Sequence, residues 1–309
     1  MILILSKNND YSTGEVIRWI LAYKIKFLRL NEDDNIKIIK YDDKELIFKK
    51  GNVSYSLNDF TSVWYRRGGL SIQSDKENDY LRLENREIIN SIYRRLIRKR
   101  HINTYFNSHL NKLYVLDYDG FIHVKIPPYL ITQSKRILLE FMNSRNQKII
   151  SKPMFVPFSK VNNNAFYMAY TSMVEPKDVI NLNKTFVPTF FQEYVEKKYE
   201  IRTFFLDGNF YSMCIFSQQN KKTSIDFRNY DHDRPNRVSP FKLPLEIEED
   251  LRIMLGFYKM DSASLDIIFD GDIFNLLDVN PIGQFGMVSN PCNYYLEERI
   301  ANYLIKKND

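Results

Sequence analysis

The chain has 309 residues, of which 44% are hydrophobic and 27% are charged, and its formal net charge is +6. This composition is typical of a folded globular protein and excludes a disordered one, and the length allows two or three domains. No apolar run approaches the roughly 20 residues of a membrane helix, and the 2 cysteines are too few for a disulfide framework.

The first third of the chain is predicted to form a small α/β domain, because short strands alternate with helices. We predict a buried strand at residues 1–6, a helix over 14–30, and strands at 36–41, 45–48, 53–55 and 63–65. The last of these strands runs into Arg66-Arg67-Gly68-Gly69. The two arginines are either surface charges at a strand end or a paired clamp for an anion such as a peptide carboxylate.

A long amphipathic helix is predicted over residues 79–100, and its last turns are strongly basic. Cations at the C-terminal end of a helix interact favourably with the helix dipole, so this run indicates a solvated helix end and not a nucleic-acid site. The polar stretch after it, residues 101–108, is predicted to be a linker between domains.

The middle of the chain is predicted to form a second unit that carries two lysines in suggestive places. Lys112 opens a short helix, an extended segment follows at residues 127–132, and a further helix is predicted over 134–144. Lys152 ends a β-branched run just before Pro153. A point charge at the end of a strand suits a nucleotide phosphate, although a lysine at either place is also common on a protein surface.

Polar residues interrupt two predicted strands in the last third of the chain. The apolar run of residues 190–195 contains Gln192 and Glu193. Glu200 and Arg202 are two residues apart in a strand that folds back as a hairpin through Asp207-Gly208, so their side chains face the same way.

Residues 264–286 are the most informative stretch. Asp270-Gly271 lies between two apolar runs and predicts a hairpin of strands 265–269 and 273–279. Asp278 and Asn280 then lie on one face of the second strand, and Asp266 on the first strand can face the same point. Carboxylate and amide oxygens are hard ligands that suit Mg²⁺ held together with substrate phosphates. The hairpin therefore predicts a nucleotide site.

Two segments of the sequence carry a resemblance to a known family. Residues 278–286, Asp-Val-Asn-Pro-Ile-Gly-Gln-Phe-Gly, resemble the metal-binding motif that closes the ATP-grasp ligases, most of which have Glu in place of Asp278. The Asn-Pro-x-Gly-Gln-aromatic-Gly ending is similar to the branch that crosslinks ribosomally made peptides, the graspetide (microviridin-type) ligases. Residues 62–69, with Trp-Tyr-Arg-Arg, are similar to a short segment of the "grasp-with-spasm" maturases in that branch.

The resemblance implies a role for each candidate residue. The residues implied to bind ATP are Lys112 and Lys152 for the phosphates, Gln192 or Glu193 with the backbone of Val195 for adenine, and Glu200 for ribose. The residues implied to bind Mg²⁺ are Asp266, Asp278 and Asn280. The residues implied in catalysis are Arg202 and Arg228, which would stabilise developing charge, and Asp226, which would orient Arg228 or accept the nucleophile's proton. Arg66 and Arg67 are implied to bind the peptide.

The resemblance also implies an α/β ATP-grasp fold over most of the chain. Its parts would be an N-terminal pre-grasp domain at residues 1–107, a central lobe at 108–189 and a C-terminal grasp lobe with the metal site at 190–309. The implied activity uses ATP and Mg²⁺ to join Asp or Glu side chains of a precursor peptide to Ser, Thr or Lys, which gives ω-esters or ω-amides.

Two other functions remain open from the sequence. One is a ligase that adds free amino acids to a protein or peptide terminus, and the other is a peptide-binding module without catalysis. For the implied activity, the expected partners are a precursor peptide, with a leader and a core rich in Thr/Ser and Asp/Glu, and a second copy of the chain. Nucleic acid and membrane are not expected. We expect a cytoplasmic protein, because residues 1–6 lack the pattern of a signal peptide.

Overall fold

A computed structural model of the protein describes residues 1–74, 78–154, 159–162, 165–168, 171–218, 233 and 235–306. The fold is mixed α/β, as predicted, and consists of an N-terminal unit, a central lobe and a C-terminal lobe. None of the helices within these ranges has the length and apolar character to cross a membrane.

The N-terminal unit contains two four-stranded sheets, with strand orders β2-β1-β6-β8 and β5-β4-β3-β7, and the first of these sheets is parallel. Its strands are β1 (Ile2–Ser6), β2 (Phe27–Asn31), β3 (Asn35–Tyr41), β4 (Leu46–Lys50), β5 (Val53–Ser56), β6 (Ser62–Tyr65), β7 (Ser71–Ile72) and β8 (Arg100–Ile102). Its helices are α1 (Tyr11–Ala22), α2 (Asp79–Leu96) and α3 (Tyr105–Ser108).

Two predictions for this unit are wrong. The helix expected over residues 14–30 is α1 followed by β2, because the chain turns at Lys24, whose φ is +58°. The linker expected over residues 101–108 is mostly ordered structure, since β8 pairs in parallel with β6 and α3 follows it. A strand of three residues is too short to show an alternating pattern in the sequence.

The central lobe is a four-stranded sheet of order β10-β15-β11-β14 with a separate β12-β13 hairpin. The elements from α4 to β15 are α4 (Lys112–Leu116), β9 (Val124–Lys125), β10 (Tyr129–Ser134), α5 (Lys135–Ser144), β11 (Ile149–Ser151), β12 (Ser159–Asn162), β13 (Ala165–Met168), β14 (Ser172–Met173), α6 (Pro176–Ile180) and β15 (Thr185–Glu193). Because β15 pairs with β10 and β11 up to Glu193, the lobe ends after Glu193, and the boundary predicted at residue 190 falls inside a strand.

The C-terminal lobe is built on a six-stranded sheet of order β18-β17-β16-β19-β20-β9. Its own elements are β16 (Tyr199–Leu206), β17 (Asn209–Phe216), β18 (Arg237–Phe241), α7 (Leu245–Phe257), β19 (Ser262–Phe269), β20 (Phe274–Asn280), α8 (Gly286–Cys292) and α9 (Leu296–Ile305). The edge strand β9 comes from the preceding segment and pairs with β20, and Val115 of α4 packs into the same core, so this segment belongs to the C-terminal lobe and not to the central one.

The two faces of the C-terminal sheet differ in what covers them. On one face, Ile201 and Leu265 pack with Leu251 of α7 in an apolar core. On the other face, Phe204 belongs to a core that also contains Ile4 of β1 and residues of α8 and α9. Glu200 and Arg202 lie on that second face at the start of β16, beyond the apolar core. Because side chains alternate between the two faces along β16, its polar residues lie at the edge of the core that the N-terminal unit shares with the C-terminal lobe.

Candidate functional site

Asp266 and Asp278 lie directly opposite each other on β19 and β20. Ser264 and Asn280 form the next opposed pair on the same face of the hairpin. The three predicted metal ligands therefore share one face, and the side chains of Asp266 and Asp278 are only 23% and 18% exposed.

Each of these two carboxylates is ion-paired with a cation from another element. The Nζ atom of Lys112 in α4 lies 2.9 Å from Oδ2 of Asp278. Arg202, which faces Asp266 across the β16–β19 pair, donates to Oδ1 of Asp266. Two opposed carboxylates repel each other when both are ionised, and the two cations offset that repulsion.

A β-bulge brings a third cation to the hairpin. The register of β19 and β20 shifts between Asp266 and Ile267, so Leu277 is an extra residue without a partner in β19. Its carbonyl oxygen accepts a hydrogen bond of 3.0 Å from Nζ of Lys152, which follows β11 of the central lobe. The site is therefore contributed by two lobes that face each other.

The donor set fits a divalent cation that arrives with a polyphosphate. Within the described ranges, no group of three or more His, Cys, Asp or Glu side chains is arranged to hold a metal by itself. Two carboxylates and one amide oxygen leave coordination positions for phosphate oxygens and water, which is how Mg²⁺ is commonly held in nucleotide sites. Asp266, Asp278 and Asn280 would be the protein ligands.

Glu200 is buried in a polar cluster beside this site. Its Oε1 pairs with Nζ of Lys197 and accepts a hydrogen bond of 2.6 Å from the hydroxyl of Ser217. Burial raises the pKa of Glu200, although Lys197 and Ser217 oppose the shift. Sequence reasoning misses Lys197, because a lysine in Glu196-Lys197-Lys198 is typical of a solvated segment, yet its side chain is 2% exposed. The three-residue spacing from Glu200 is the only signal that the sequence offers.

The predicted adenine segment lies where the chain passes from the central to the C-terminal lobe. Gln192 of β15 is fully buried, its Nε2 donates to the carbonyl of Pro127 at 3.1 Å, and its Oε1 is a buried acceptor without a hydrogen-bond donor in the described part of the chain. The carboxylate of Glu193 lies 3.7 Å from Nε of Arg145. Val195 is half-buried in the connection between β15 and β16. An acceptor of this kind at the hinge suits an amine donor such as that of adenine.

Arg66 lies inside the molecule and not on a surface open to a peptide. It is 3% exposed, its Nη1 donates to the carbonyl of Gly283 at 2.7 Å, and its Nη2 donates to Oε1 of Gln284 at 3.3 Å. Its Nε lies 3.2 Å from Oδ2 of Asp10. Burial lowers the pKa of Arg66 to about 10, still far above neutral pH. Arg67 has a side chain that is 36% exposed, so only this second arginine is open to a ligand.

The two sequence segments that carry the family resemblance meet in the folded chain. The ring of Trp64 lies 6.4 Å from that of Phe285 between centroids, and the guanidinium of Arg66 lies 5.0 Å above the same Phe285 ring. The structure therefore gathers Lys112, Lys152, Arg202, Asp266 and Asp278 at one site, with Glu200 in the cluster beside it and Arg66 supporting the loop that follows β20. Asp226 and Arg228 lie outside the described residues.

Comparisons with solved structures find similar folds over almost the whole chain. A RiPP-associated ATP-grasp ligase from Chryseobacterium gregarium, in complex with ADP and a leader and core peptide, is 23% identical with a TM-score of 0.79, over 98% of this chain and 94% of that one. Macrocyclase MdnC from Microcystis aeruginosa MRC, bound with precursor peptide MdnA, is 24% identical with a TM-score of 0.78, over 99% of both chains. Macrocyclase MdnB from the same organism is 19% identical with a TM-score of 0.74, over 98% of both chains.

The chain has the ATP-grasp fold. No protein-family model matches the sequence, and the comparison with curated proteins finds no match. Within this ATP-grasp fold, Lys152 comes from the central lobe, whereas Arg202, Asp266 and Asp278 come from the C-terminal lobe. The candidate site thus lies where residues of the two lobes meet.

Proposed function

We propose that the protein is an ATP-dependent ligase that activates Asp or Glu side chains of a ribosomally made precursor peptide and joins them to Ser, Thr or Lys side chains of the same peptide. The observation that carries the proposal is the opposed pair of carboxylates, Asp266 and Asp278, between two lobes of an ATP-grasp fold. Arg202 and Lys112 form ion pairs with these carboxylates, and Lys152 contacts the same hairpin from the central lobe. Similar structures that bind ADP, Mg and precursor peptides support it.

The need for ATP follows from the chemistry of the substrate. An ionised carboxylate is a poor electrophile, so its condensation with a hydroxyl or an amine requires activation. A carboxylate oxygen attacks the γ-phosphorus of ATP, ADP leaves, and the product is an acylphosphate. The hydroxyl oxygen or amine nitrogen then attacks the acyl carbon, loses its proton, and phosphate leaves. The sum is the loss of one water from the peptide for each crosslink.

The charged side chains of the site have distinct roles in this sequence. Lys112, Lys152 and Arg202 hold the phosphates and stabilise the negative charge that develops during phosphoryl transfer. Asp266, Asp278 and Asn280 would hold Mg²⁺, which would supply positive charge to neutralise the phosphates. Gln192 and the hinge near Val195 bind adenine, and Glu200 accepts from ribose. Arg228 and Asp226 are proposed to act on the transferring group and on the nucleophile's proton.

Mass spectrometry of a candidate precursor peptide tests the proposal. A peptide that is encoded beside the gene and rich in Thr/Ser and Asp/Glu is incubated with the protein, ATP and Mg²⁺. We expect the loss of one water mass per crosslink, dependent on ATP, and methanolysis then distinguishes esters from amides. A mass gain equal to amino-acid residues supports a ligase that extends a terminus. Nucleotide binding without a mass change in any such peptide supports a binding module and contradicts the proposal.

A further inference from the structure

Gln284 lies in a loop that the nucleotide and metal roles leave unused. Residues 281–285 connect β20 to α8 directly after the candidate metal ligand Asn280. A Cβ atom at Gly283 would lie 2.0 Å from Oγ and 2.6 Å from the backbone N of Ser264, so only glycine fits against β19 there. The hydroxyl of Ser264 also donates to the carbonyl of Gln284 at 3.2 Å. The backbone of Gln284 is therefore fixed beside the metal-site hairpin.

The side chain of Gln284 is oriented by two donors from the N-terminal unit. Its Oε1 accepts from Nη2 of Arg66 at 3.3 Å and from the hydroxyl of Ser12 at 3.2 Å. A guanidinium can only donate, so the atom of Gln284 that faces Arg66 has to be the oxygen. The amide nitrogen consequently points away from Arg66.

The outward-facing nitrogen is a donor without a partner. Gln284 is exposed, and its Nε2 makes no hydrogen bond with any residue that the structure describes. Arg66 itself is buried and charged, and it rests on Asp10, whose Oδ2 lies 3.2 Å from its Nε. A buried ion pair of this kind holds the Gln284 oxygen in one place, and an exposed amide held at its oxygen presents its N–H groups in a fixed direction.

A second exposed donor, Arg67, contacts the carboxylate on which Arg66 rests. The Nε atom of Arg67 lies 3.7 Å from the same Oδ2 of Asp10 that contacts Arg66. The side chain of Arg67 is 36% exposed. Arg66 contacts both Asp10 and Gln284, so Asp10 and Arg66 together link the exposed guanidinium of Arg67 to the exposed amide of Gln284. A cationic fork and a neutral amide donor that are linked in this way suit a carboxylate, which accepts several hydrogen bonds.

We propose that Gln284 and Arg67 bind a side-chain carboxylate of the peptide substrate, and that Arg66 and Ser12 are positioning residues that orient Gln284. The identity of the ligand as a peptide carboxylate rests on the proposed function. Each residue of the Gly-Gln-Phe motif then has a separate role. Gly283 allows the close packing against β19, Gln284 binds the substrate carboxylate, and Phe285 packs on Trp64 and Arg66.

Binding of a simple probe tests this site without turnover. N-acetyl-aspartate amide, a capped side-chain carboxylate, is titrated into the full chain loaded with ADP and Mg²⁺ and followed by saturation-transfer NMR. Gln284→Glu is isosteric and keeps an oxygen for Arg66 and Ser12, but it replaces the donor with an anionic acceptor. We expect the dissociation constant of the probe to rise at least about tenfold in this variant. Ser12→Ala, which leaves Arg66 in place, should give a smaller rise.

Asn290→Asp is the matched control, because Asn290 is an exposed residue of the following helix and the substitution changes the charge by the same amount. Its probe affinity should equal that of the wild type, and the thermal midpoints of all three variants should stay near that of the wild type. Equal probe affinity in Gln284→Glu and wild type, an equal loss in Asn290→Asp, or no binding by the wild type would overturn the assignment. Peptide mass is recorded separately, so a wild type that binds the probe but forms no crosslink contradicts only the proposed function.

Discussion

Asp278 is the residue whose removal most directly disturbs the candidate metal site. Asp278→Ala deletes one of two opposed carboxylates and leaves Lys112 without its ion-pair partner. We expect turnover to fall at least about a hundredfold, since metal contacts supply several kcal/mol of transition-state stabilisation, while peptide binding persists. Initial rates and peptide titrations measure the two effects. Asp272→Ala, in the exposed turn of the same hairpin, is the control, and undiminished turnover in Asp278→Ala would remove the metal assignment.

Glu200 gives a prediction about pH and stability. Burial raises its pKa above the ordinary value of 4.5, so in the window between 4.5 and the raised native value the folded chain binds more protons than the unfolded chain. The contribution of Glu200 to the free energy of unfolding therefore falls as the pH rises through that window. Glu200→Gln does not titrate, so the wild-type value minus the variant value should decrease with rising pH from about 4.5 upward. Urea unfolding at a series of pH values measures this difference, and a constant or increasing difference contradicts the prediction.

For individual site residues, their spacing along the chain was more informative about their position in the fold than their residue type. The two-residue period and the Asp270-Gly271 turn suffice to place Asp266, Asp278 and Asn280 on one face. No such rule distinguishes Arg66 from Arg67, because burial of a charge depends on partners that are far away in the sequence, here the carbonyl of Gly283.

The loop after β20 gives a prediction at the scale of an element. Gly283→Ala would push a Cβ atom into the backbone and side chain of Ser264, and overpacking of this kind costs about 1–3 kcal/mol of unfolding free energy. Gly256→Ala is the matched control, because a Cβ added to this glycine of α7 would meet no heavy atom within 4 Å in the described part of the chain, apart from its chain neighbours and the backbone of its own helix. Alanine in a helix should stabilise by about 0.5–1 kcal/mol. Denaturant midpoints compare the two, and equal shifts would contradict the close packing at Gly283.

Helices and strands were predictable from the sequence where the apolar pattern was long. The predictions failed where contacts with distant parts of the chain decide the local structure. The hairpin of β19 and β20 follows from its pattern, but the bulge at Leu277, which frees a carbonyl for Lys152, does not. Likewise, three residues of β8 form a strand only because β6 lies beside them. The lobe boundaries differ from the predicted ones for the same reason, because β9 pairs with β20 and not with the strands that are next to it in the sequence.

At the scale of the whole molecule, Asn103 ties the N-terminal unit to the C-terminal lobe. This buried residue, with φ of +51°, donates from Nδ2 to the carbonyls of Ser262 at 2.7 Å and Pro281 at 2.8 Å. Its Oδ1 accepts from the backbone N of Asp261 at 2.9 Å. The tie joins the segment after β8 to the first residue of β19 and to the residue that follows β20.

Asn103→Asp is expected to weaken the whole molecule. The substitution places a carboxylate oxygen against two carbonyl oxygens in a buried position, so the free energy of unfolding should fall by at least about 2 kcal/mol. Because Ile4, Phe204 and Ile300 share one core, we expect a single cooperative transition at a lower temperature. Calorimetry measures this change against Asn290→Asp on the exposed face of α8, and an unchanged midpoint in Asn103→Asp would show that the tie carries no stability.

The central claim is that the protein activates a carboxylate by phosphorylation, and oxygen transfer tests it most directly. A precursor peptide with ¹⁸O in its Asp and Glu side chains is incubated with the protein, ATP and Mg²⁺, and the released inorganic phosphate is analysed by mass. The account predicts one ¹⁸O atom in the phosphate for each crosslink formed, because the acylphosphate breaks between the acyl carbon and the bridging oxygen. Crosslinked peptide with unlabelled phosphate, or ATP hydrolysis without any label transfer, would contradict it.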